Sequence, residues 1–171
     1  MKQSCENNGW GANDSDDEIA DIKSSIESVS ASSGVDARFI LAIVMQESNG
    51  CVRVVTTSWS HLNPGLMQTN QGTGTCNNDS IVQDPCPDSE ILQMIQDGTE
   101  GTASGDGLKQ CLAETAVSDV SMYYRAARIY NGGQSGYNAD DLGSGCCTLC
   151  YSSDVANRLS GWYSGPSSCT L

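Results

Sequence analysis

Basic side chains are scarce in this sequence. Only eight of its 171 residues are Lys or Arg, against 21 Asp or Glu, so the formal net charge is −13. Nucleic acids and anionic membranes attract proteins through clustered basic residues, and we therefore expect neither of them as a partner. A neutral or cationic partner, or an acidic working pH, suits this charge better.

Long hydrophobic segments are also missing. The longest apolar run, residues 39–45, has seven members, whereas a membrane-spanning helix needs about 20. Met1 is not followed by the apolar stretch that a secretory signal contains. We therefore expect a mature chain with an added start methionine.

Phenylalanine and histidine occur only once each. Six Tyr and three Trp accompany the single Phe, and this balance suits polar ligands such as sugars. His61 has no partner of the kind that a catalytic histidine needs, and neither Ser48 nor Ser58 belongs to a Ser-His-Asp pattern. We therefore expect His61 to be a loop residue and predict no serine nucleophile.

Cysteine, by contrast, is abundant: nine cysteines are spread between positions 5 and 169. This spread is typical of a disulfide framework in a secreted, extracellular protein, and we expect four disulfides with one thiol left over. Cys147 and Cys150 form a CxxC pair, but no second such pair and no histidine cluster accompanies it. We therefore expect no metal and no cofactor, and we expect a monomer.

Hydrophobic spacing predicts a single, mainly helical domain over residues 1–171, of the α+β kind because loops and one or two short strands fill residues 51–87. Val120 and Trp162 are expected to face inward, and residues 1–15 to form a polar tail that Cys5 holds. The helices are predicted at residues 16–33, 36–48, 89–97, 108–116, 118–130 and 153–163.

The second predicted helix ends in an unexpected way. Its residues 39–45 are apolar nearly all round, which indicates a central core helix, yet Glu47 follows just before the Asn49-Gly50 stop. Burial and the partial negative charge of a helix C-terminus both disfavour an ionised carboxylate. Glu47 is therefore predicted to have the raised pKa that a general acid in glycoside cleavage needs; the alternative is an ordinary solvated residue of the last turn.

Two further stretches carry polar groups next to turns. The first is "NPGLMQTN", residues 63–70, in which Gln68 could present its amide to a ligand. The second is "ARIYNGG", residues 127–133, in which Tyr130 and Asn131 precede a pair of glycines. Taken alone, each is an ordinary loop or helix end.

In their order and spacing, the three stretches resemble the motifs of lytic transglycosylases and goose-type lysozymes, glycoside hydrolase family 23 of the lysozyme superfamily. That group has Glu-Ser at the end of a buried helix, then Gly-Leu-Met-Gln, then Ala-Tyr-Asn-Ala-Gly. Here the matching residues are Glu47-Ser48, residues 65–68 and residues 129–133, without the leading Ala of the third motif. The resemblance covers about residues 36–133, and the many cysteines look like those of a secreted fungal relative.

This resemblance implies a lysozyme-like fold and cleavage of a β-1,4-linked glycan, first of all peptidoglycan, by a muramidase or a lytic transglycosylase. Glu47 matches the catalytic acid. The substrate-binding residues that the match implies are Ser48, Gln68, Asn70, Tyr130 and Asn131.

One position departs from the family pattern. Goose-type lysozymes have an Asp two positions after the motif Gln, whereas this chain has Asn70, and an amide is no general base. Three routes stay open: Glu47 acts first as acid and then as base, the N-acetyl group of the substrate takes part, or Asp79 or Asp84 orients water. A carboxylate that activates water for direct inversion needs to lie roughly 6.5–9.5 Å from the acid.

The substrate also has alternatives. A chain with a net charge of −13 is repelled by anionic bacterial walls at long range, so chitin, chitosan or a neutral β-mannan are alternatives to peptidoglycan. An alternative of another class is a glycan-binding or effector protein that has lost catalysis, which Asn70 suggests.

Overall fold

The computed structural model of this protein describes residues 1–78, 80–162 and 167. Within these residues the chain is mainly helical, as predicted. Two short strands follow the third helix, and a 3-10 turn at Gln134–Gly136 follows the sixth. The elements are α1 Ser4–Asn7, α2 Asp16–Ser33, α3 Ala37–Glu47, β1 Thr57–Ser58, β2 Leu62–Asn63, α4 Asp88–Glu100, α5 Leu108–Glu114, α6 Ser121–Gly132 and α7 Tyr151–Leu159.

Helix α3 lies at the centre of the core, and this prediction is confirmed. Asp36 caps its first turn by accepting a hydrogen bond of 2.8 Å from the backbone N–H of Arg38. Ile40, Ile43 and Val44 are fully buried, and burying each such side chain contributes about 1.5–3 kcal/mol to folding. Helices α2 and α7 pack against α3, so they surround the helix that ends in Glu47.

Helix α2 begins with a reciprocal cap. The hydroxyl of Ser15 accepts a hydrogen bond from the backbone N–H of Glu18, while the Glu18 carboxylate accepts one from the backbone N–H of Ser15. This pairing satisfies two backbone donors that a helix start leaves open. The helix ends at Gly34, whose φ of 80° is a left-handed conformation that favours glycine.

Residues 1–15, predicted to be a polar tail, fold against the body of the protein. Cys5 is fully buried and forms a disulfide with Cys51, just after α3. Asp14 is also buried, and its Oδ1 accepts a hydrogen bond of 3.1 Å from the backbone N–H of Val52. The disulfide therefore ties the N-terminal region to the chain just past the Asn49-Gly50 turn.

A buried guanidinium joins the N-terminal region to the central loops. Arg53 is fully buried, and its Nη2 lies 2.5 Å from Oε1 of Glu18 and 2.8 Å from Oδ1 of Asp84. Its Nη1 lies 3.5 Å from Oδ1 of Asp14. Glu18 Oε1 also accepts a hydrogen bond from the backbone N–H of Cys86. We call Asp14, Glu18, Arg53 and Asp84 the Arg53 cluster.

The pKa values in this cluster differ because the carboxylates have different surroundings. Burial raises the pKa of Asp14 to about 6, and the hydrogen bond from Val52 opposes that shift only in part. Burial would also raise the pKa of Glu18, but hydrogen bonds from the backbone of Ser15 and Cys86 and from Arg53 lower it overall. Glu18 therefore stays ionised beside the guanidinium.

Strands β1 and β2 form a small antiparallel hairpin in the central loops. Thr57 pairs with Asn63, and Ser58 pairs with Leu62. The side chain of Trp59, at the tip, is 97% exposed. His61 lies in the same exposed turn, as predicted for a loop residue.

Helix α4 is longer than the sequence predicts, and the segment expected to be loop after residue 97 continues it to Glu100. The reason is a tertiary contact that local sequence does not encode. A Cβ atom at Gly98 would lie 2.5 Å from the side chain of Met67, and Thr99 is fully buried. Glycine, a helix breaker by propensity, is required here so that α4 can approach the loop of residues 63–70.

Two residues predicted to face inward are exposed, so these predictions are wrong. Helix α6 begins at Ser121, and Val120 precedes it with a side chain that is 72% exposed. Helix α7 ends at Leu159, so Trp162 lies beyond it and is 59% exposed. The predicted helical spacing extended beyond the start of α6 in the first case and beyond the end of α7 in the second.

Disulfides are formed as expected, although more thiols remain than the one predicted. Cys5–Cys51 and Cys76–Cys86 are disulfides, and Cys150 is disulfide-bonded as well. The thiols are Cys111, Cys146 and Cys147. Among the described residues, no helix combines the length and the apolar composition that crossing a membrane requires.

Candidate functional site

Glu47 is the last residue of α3 and is partly exposed, so its carboxyl lies where the core meets the surface. Burial raises its pKa from 4.5 to about 7, in the direction predicted. Ser48, which follows, is fully buried; its hydroxyl donates to the Val44 carbonyl and accepts from the Gly50 N–H. Ser48 thus closes the end of α3 and fixes the position of Glu47; that it binds substrate stays a prediction.

Tyr151 is the closest partner of Glu47, and the sequence analysis missed it. The Tyr151 hydroxyl donates a short hydrogen bond to Oε1 of Glu47. Burial, followed by the charge of Glu47, raises the pKa of Tyr151 well above its usual value. The phenol therefore keeps its proton and acts as a donor to the carboxylate, which lowers the Glu47 pKa and opposes part of the effect of burial.

A second tyrosine, Tyr130, lies within electrostatic reach of Glu47. Burial and then the Glu47 charge raise the pKa of its phenol. Its hydroxyl donates to the Met67 carbonyl at 2.9 Å and lies 3.4 Å from Oγ1 of Thr69. The third motif is thus joined to the second by a direct hydrogen bond.

Gln68 lies at the expected loop, but its amide is occupied by the protein. Its Oε1 accepts from the Thr57 hydroxyl at 2.8 Å, and its Nε2 donates to the carbonyls of Val55 and Gly65. The φ of Gln68 is 47°, a left-handed conformation. These bonds attach the hairpin to residues 63–70, so the amide supports the site where the sequence analysis expected a contact to ligand.

The side chain of Asn131 also forms hydrogen bonds within the protein. Its Oδ1 accepts hydrogen bonds from Nη2 of the buried Arg128 at 2.6 Å and from the backbone N–H of Thr148 at 3.0 Å. Arg128 also donates to the carbonyls of Cys146 and Thr148. Asn131 therefore joins the end of α6 to the segment that leads into Tyr151.

Asn70, the position that departs from the family pattern, faces the loop after α4. Its Nδ2 donates to the Ser104 carbonyl at 3.1 Å, and its own carbonyl accepts from the Thr102 hydroxyl at 2.8 Å. A Cβ atom at Gly105 would lie 2.9 Å from Cβ of Asn70. Asn70 therefore packs closely on this loop and holds it.

The two carboxylates expected to orient water, Asp79 and Asp84, differ in what the structure describes of them. The pKa shift of Glu47 itself has burial and the Tyr151 hydrogen bond as its causes. Asp84 belongs to the Arg53 cluster, where it is bound by the guanidinium. Asp79 lies outside the described residues.

A side-chain hydrogen bond joins helix α7 to the end of α3. Nε of Arg158 donates to Oε1 of Gln46 at 3.0 Å, one residue before Glu47. Val155 is fully buried and lies one helical turn after Tyr151. Tyr151, Val155 and Leu159 are spaced i, i+4, i+8 and share one face of the helix. Had the predicted helix begun at residue 151 instead of 153, the sequence would have placed Tyr151 on the inner face.

One group of possible metal ligands is present among the described residues. Ligand atoms of Cys5, Asp14 and Cys51 lie within 4.8 Å of one another. The two sulfur atoms are joined in a disulfide, and a metal needs thiolates. This group is therefore no metal site.

Comparisons with protein-family models, with curated proteins and with solved structures found no match to this chain.

Proposed function

We propose that this protein is a secreted glycosidase of lysozyme-like fold that cleaves a β-1,4-linked glycan, first of all peptidoglycan, with Glu47 as general acid. The observation that carries the proposal is the Glu47 carboxyl: its pKa is raised to about 7, and Tyr151 holds it in one orientation. The disulfides support an extracellular location, because such bonds persist in oxidising compartments.

The first chemical step follows from this arrangement. A protonated Glu47 donates its proton to the glycosidic oxygen as the bond to the anomeric carbon breaks. The negative charge that then develops on the carboxylate is stabilised by the Tyr151 hydroxyl, which already points at Oε1. The Glu47 charge also acts on Tyr130, whose pKa it raises, and the Tyr130 hydroxyl donates to the Met67 carbonyl in the loop of residues 63–70.

The second step has two routes that need no second carboxylate. Glu47, now ionised, takes a proton from the 6-hydroxyl of the sugar, whose oxygen attacks the anomeric carbon and closes an anhydro ring; or the N-acetyl oxygen of the substrate attacks the anomeric carbon, and water then opens the ring so formed while Glu47 takes a proton from that water. Both routes use Glu47 first as acid and then as base. Direct inversion through Asp79 is the third route.

The substrate class is tested by comparing products. Purified peptidoglycan, chitin, chitosan and β-mannan are incubated with the protein between pH 4 and 8, and soluble fragments are measured by mass spectrometry. We expect fragments from peptidoglycan; products lighter by one water indicate anhydro-sugar formation, and reducing ends indicate hydrolysis. Fragments from chitosan alone would favour the charge-based alternative.

The assignment of Glu47 is tested by Glu47→Gln, with Glu27→Gln as the matched control because Glu27 is exposed on α2. We expect the first variant to lose nearly all activity and the second to keep it, with both folded by circular dichroism. If the unaltered protein binds glycan in calorimetry but releases no product from any of the four, the non-catalytic alternative is correct.

A further inference from the structure

Cys146 and Cys147 are adjacent in the chain, and both are exposed thiols. Their sulfur atoms lie 2.6 Å apart, which is well inside the contact distance of two unbonded sulfur atoms, although longer than the ~2.03–2.05 Å of a disulfide. Cys111, the remaining thiol, is buried, and burial raises its pKa to about 12. Cys146 and Cys147 are therefore the solvent-accessible pair, and partial burial and the neighbouring Cys146 raise the pKa of Cys147 as well.

The turn around the two cysteines combines an unusual backbone conformation with a hydrogen bond and a close packing contact. Gly145 and Cys147 have φ values of 97° and 71°, both in the left-handed region, where a non-glycine residue is strained. The carbonyl of Cys146 accepts a hydrogen bond of 3.1 Å from Arg128. A Cβ atom at Gly136 would lie 3.0 Å from Sγ of Cys146. The backbone thus brings the two sulfur atoms together and leaves them little freedom to separate.

We propose that Cys146 and Cys147 form a redox-active disulfide between adjacent residues, closed by exchange with a small external disulfide such as glutathione disulfide. One cysteine thiolate attacks the external disulfide and releases one glutathione thiolate. The neighbouring thiolate then attacks the mixed disulfide and releases the second. The protein loses two electrons and two protons, and glutathione disulfide is reduced to two glutathione molecules.

This disulfide is expected to be the most easily reduced in the described part of the protein. Adjacent Cα atoms are about 3.8 Å apart, closer than the usual separation across a disulfide, which makes such a bond more reducible. In the two disulfides whose partners are both described, the sulfur atoms lie in the core: Cys5, Cys51, Cys76 and Cys86 are each at most 3% exposed. Exposed and constrained disulfides are the labile ones.

The pair is connected to the candidate site through the backbone. Thr148 follows Cys147 and donates its N–H to Asn131, and Tyr151 begins α7 three residues later. Reducing the Cys146–Cys147 bond removes a constraint at the start of residues 148–151, the segment that hydrogen-bonds Asn131 and leads into Tyr151. Resting on the proposed function, we expect reduction of the pair to lower glycan cleavage severalfold.

The experiment labels thiols at a pH below neutral, so that disulfides do not exchange. The full chain is equilibrated with glutathione disulfide, unfolded in urea with N-ethylmaleimide, digested without reductant and analysed by mass spectrometry. We expect the label on Cys111 alone, and the peptide with Cys146 and Cys147 unlabelled and two hydrogens lighter than the dithiol. Labels on both cysteines, or a bond from either to Cys111 or to a second molecule, would overturn the proposal.

Two variants make the result specific. Cys147→Ser leaves Cys146 without its neighbour, and we expect Cys146 then to take the label or to hold glutathione. Cys111→Ser is the matched control, in which the pair should close as before. In a dithiothreitol titration, Cys146 and Cys147 should take the label before Cys5, Cys51, Cys76 and Cys86; the opposite order would contradict the proposal. The masses do not depend on cleavage, so a failure of the proposed function is recognised separately.

Discussion

The hydroxyl of Tyr151 donates its hydrogen bond to Oε1 of Glu47 across 104 positions of the chain. This single contact fixes which oxygen of the carboxyl is occupied and which is left for a proton to be transferred. Because the donor bonds best to the ionised carboxylate, it also counteracts part of the pKa increase that burial causes.

Replacing Tyr151 by Phe should raise the pKa of Glu47 further. A hydrogen bond to a charged group is worth about 1.5–3 kcal/mol, and one pKa unit corresponds to about 1.36 kcal/mol, so we expect an increase of about one to two units. The alkaline limb of the pH–activity profile should move up by the same amount, while the maximal rate falls about tenfold because the developing charge loses a donor. Tyr124→Phe, which removes a phenol on helix α6, is the control. A pH–activity profile that moves in neither variant would contradict the role of Tyr151.

The activity of the unaltered protein should decline above neutral pH. Since the acid form of Glu47 is required and its pKa is about 7, kcat/KM should fall about tenfold per pH unit once the pH exceeds that value. The measurement is the initial rate on a soluble glycan fragment from pH 4 to pH 9. A rate that keeps rising to pH 9 would show that the ionised form of Glu47 does the work.

The stability of Glu47→Gln should exceed that of the unaltered protein at alkaline pH. The folded-state pKa is about 7 against 4.5 for the free side chain, so the carboxyl ionises more easily when the chain is unfolded. As the pH rises from 4.5 to 7 the unfolded state binds fewer protons, and the carboxyl subtracts up to about 3 kcal/mol from the free energy of unfolding.

This difference is measured by urea denaturation of both proteins at pH 4 and pH 8. The two should be nearly equal at pH 4, and the variant should be more stable at pH 8. Asp14, whose pKa is also raised, contributes equally to both proteins and cancels. Equal stability at both values would mean that the Glu47 carboxyl is well solvated.

Replacing Arg53 by Met should destabilise the protein severely. The Arg53 cluster would keep three carboxylates and lose the buried guanidinium that they share, and breaking such a buried ion pair costs about 3–5 kcal/mol. Arg38→Met removes an exposed ion pair with Asp36 and should change the unfolding free energy little. The comparison is made by denaturation without reductant; equal effects of the two substitutions would show that Arg53 is not a structural centre.

Local sequence was sufficient for the features that depend on one helix. The apolar residues of α3 and the position of Glu47 at its end predicted both the burial and the direction of the pKa shift. Desolvation and the helix terminus act over a few residues, and those residues are contiguous in the sequence.

Features that depend on distant contacts were not predictable in the same way. Arg53 and Glu18 are 35 positions apart, and nothing near either residue indicates a buried pair. The motif resemblance implied that Gln68 and Asn131 bind substrate, and the hydrogen bonds of their side chains to Thr57 and to Thr148 could not be predicted from it. The length of α4 depends on Met67 packing against Gly98, which no propensity encodes.

The separation between Glu47 and Tyr151 also sets an order of events during synthesis. A chain leaves the ribosome from its N-terminus, so α3 emerges long before α7, and Glu47 lacks the hydrogen bond from Tyr151 until the last described helix has docked. Any nascent or truncated chain that stops before residue 151 therefore contains the acid without its donor. In a cell that makes its own β-1,4-linked glycans, this delay would keep the proposed activity incomplete until the chain is nearly finished.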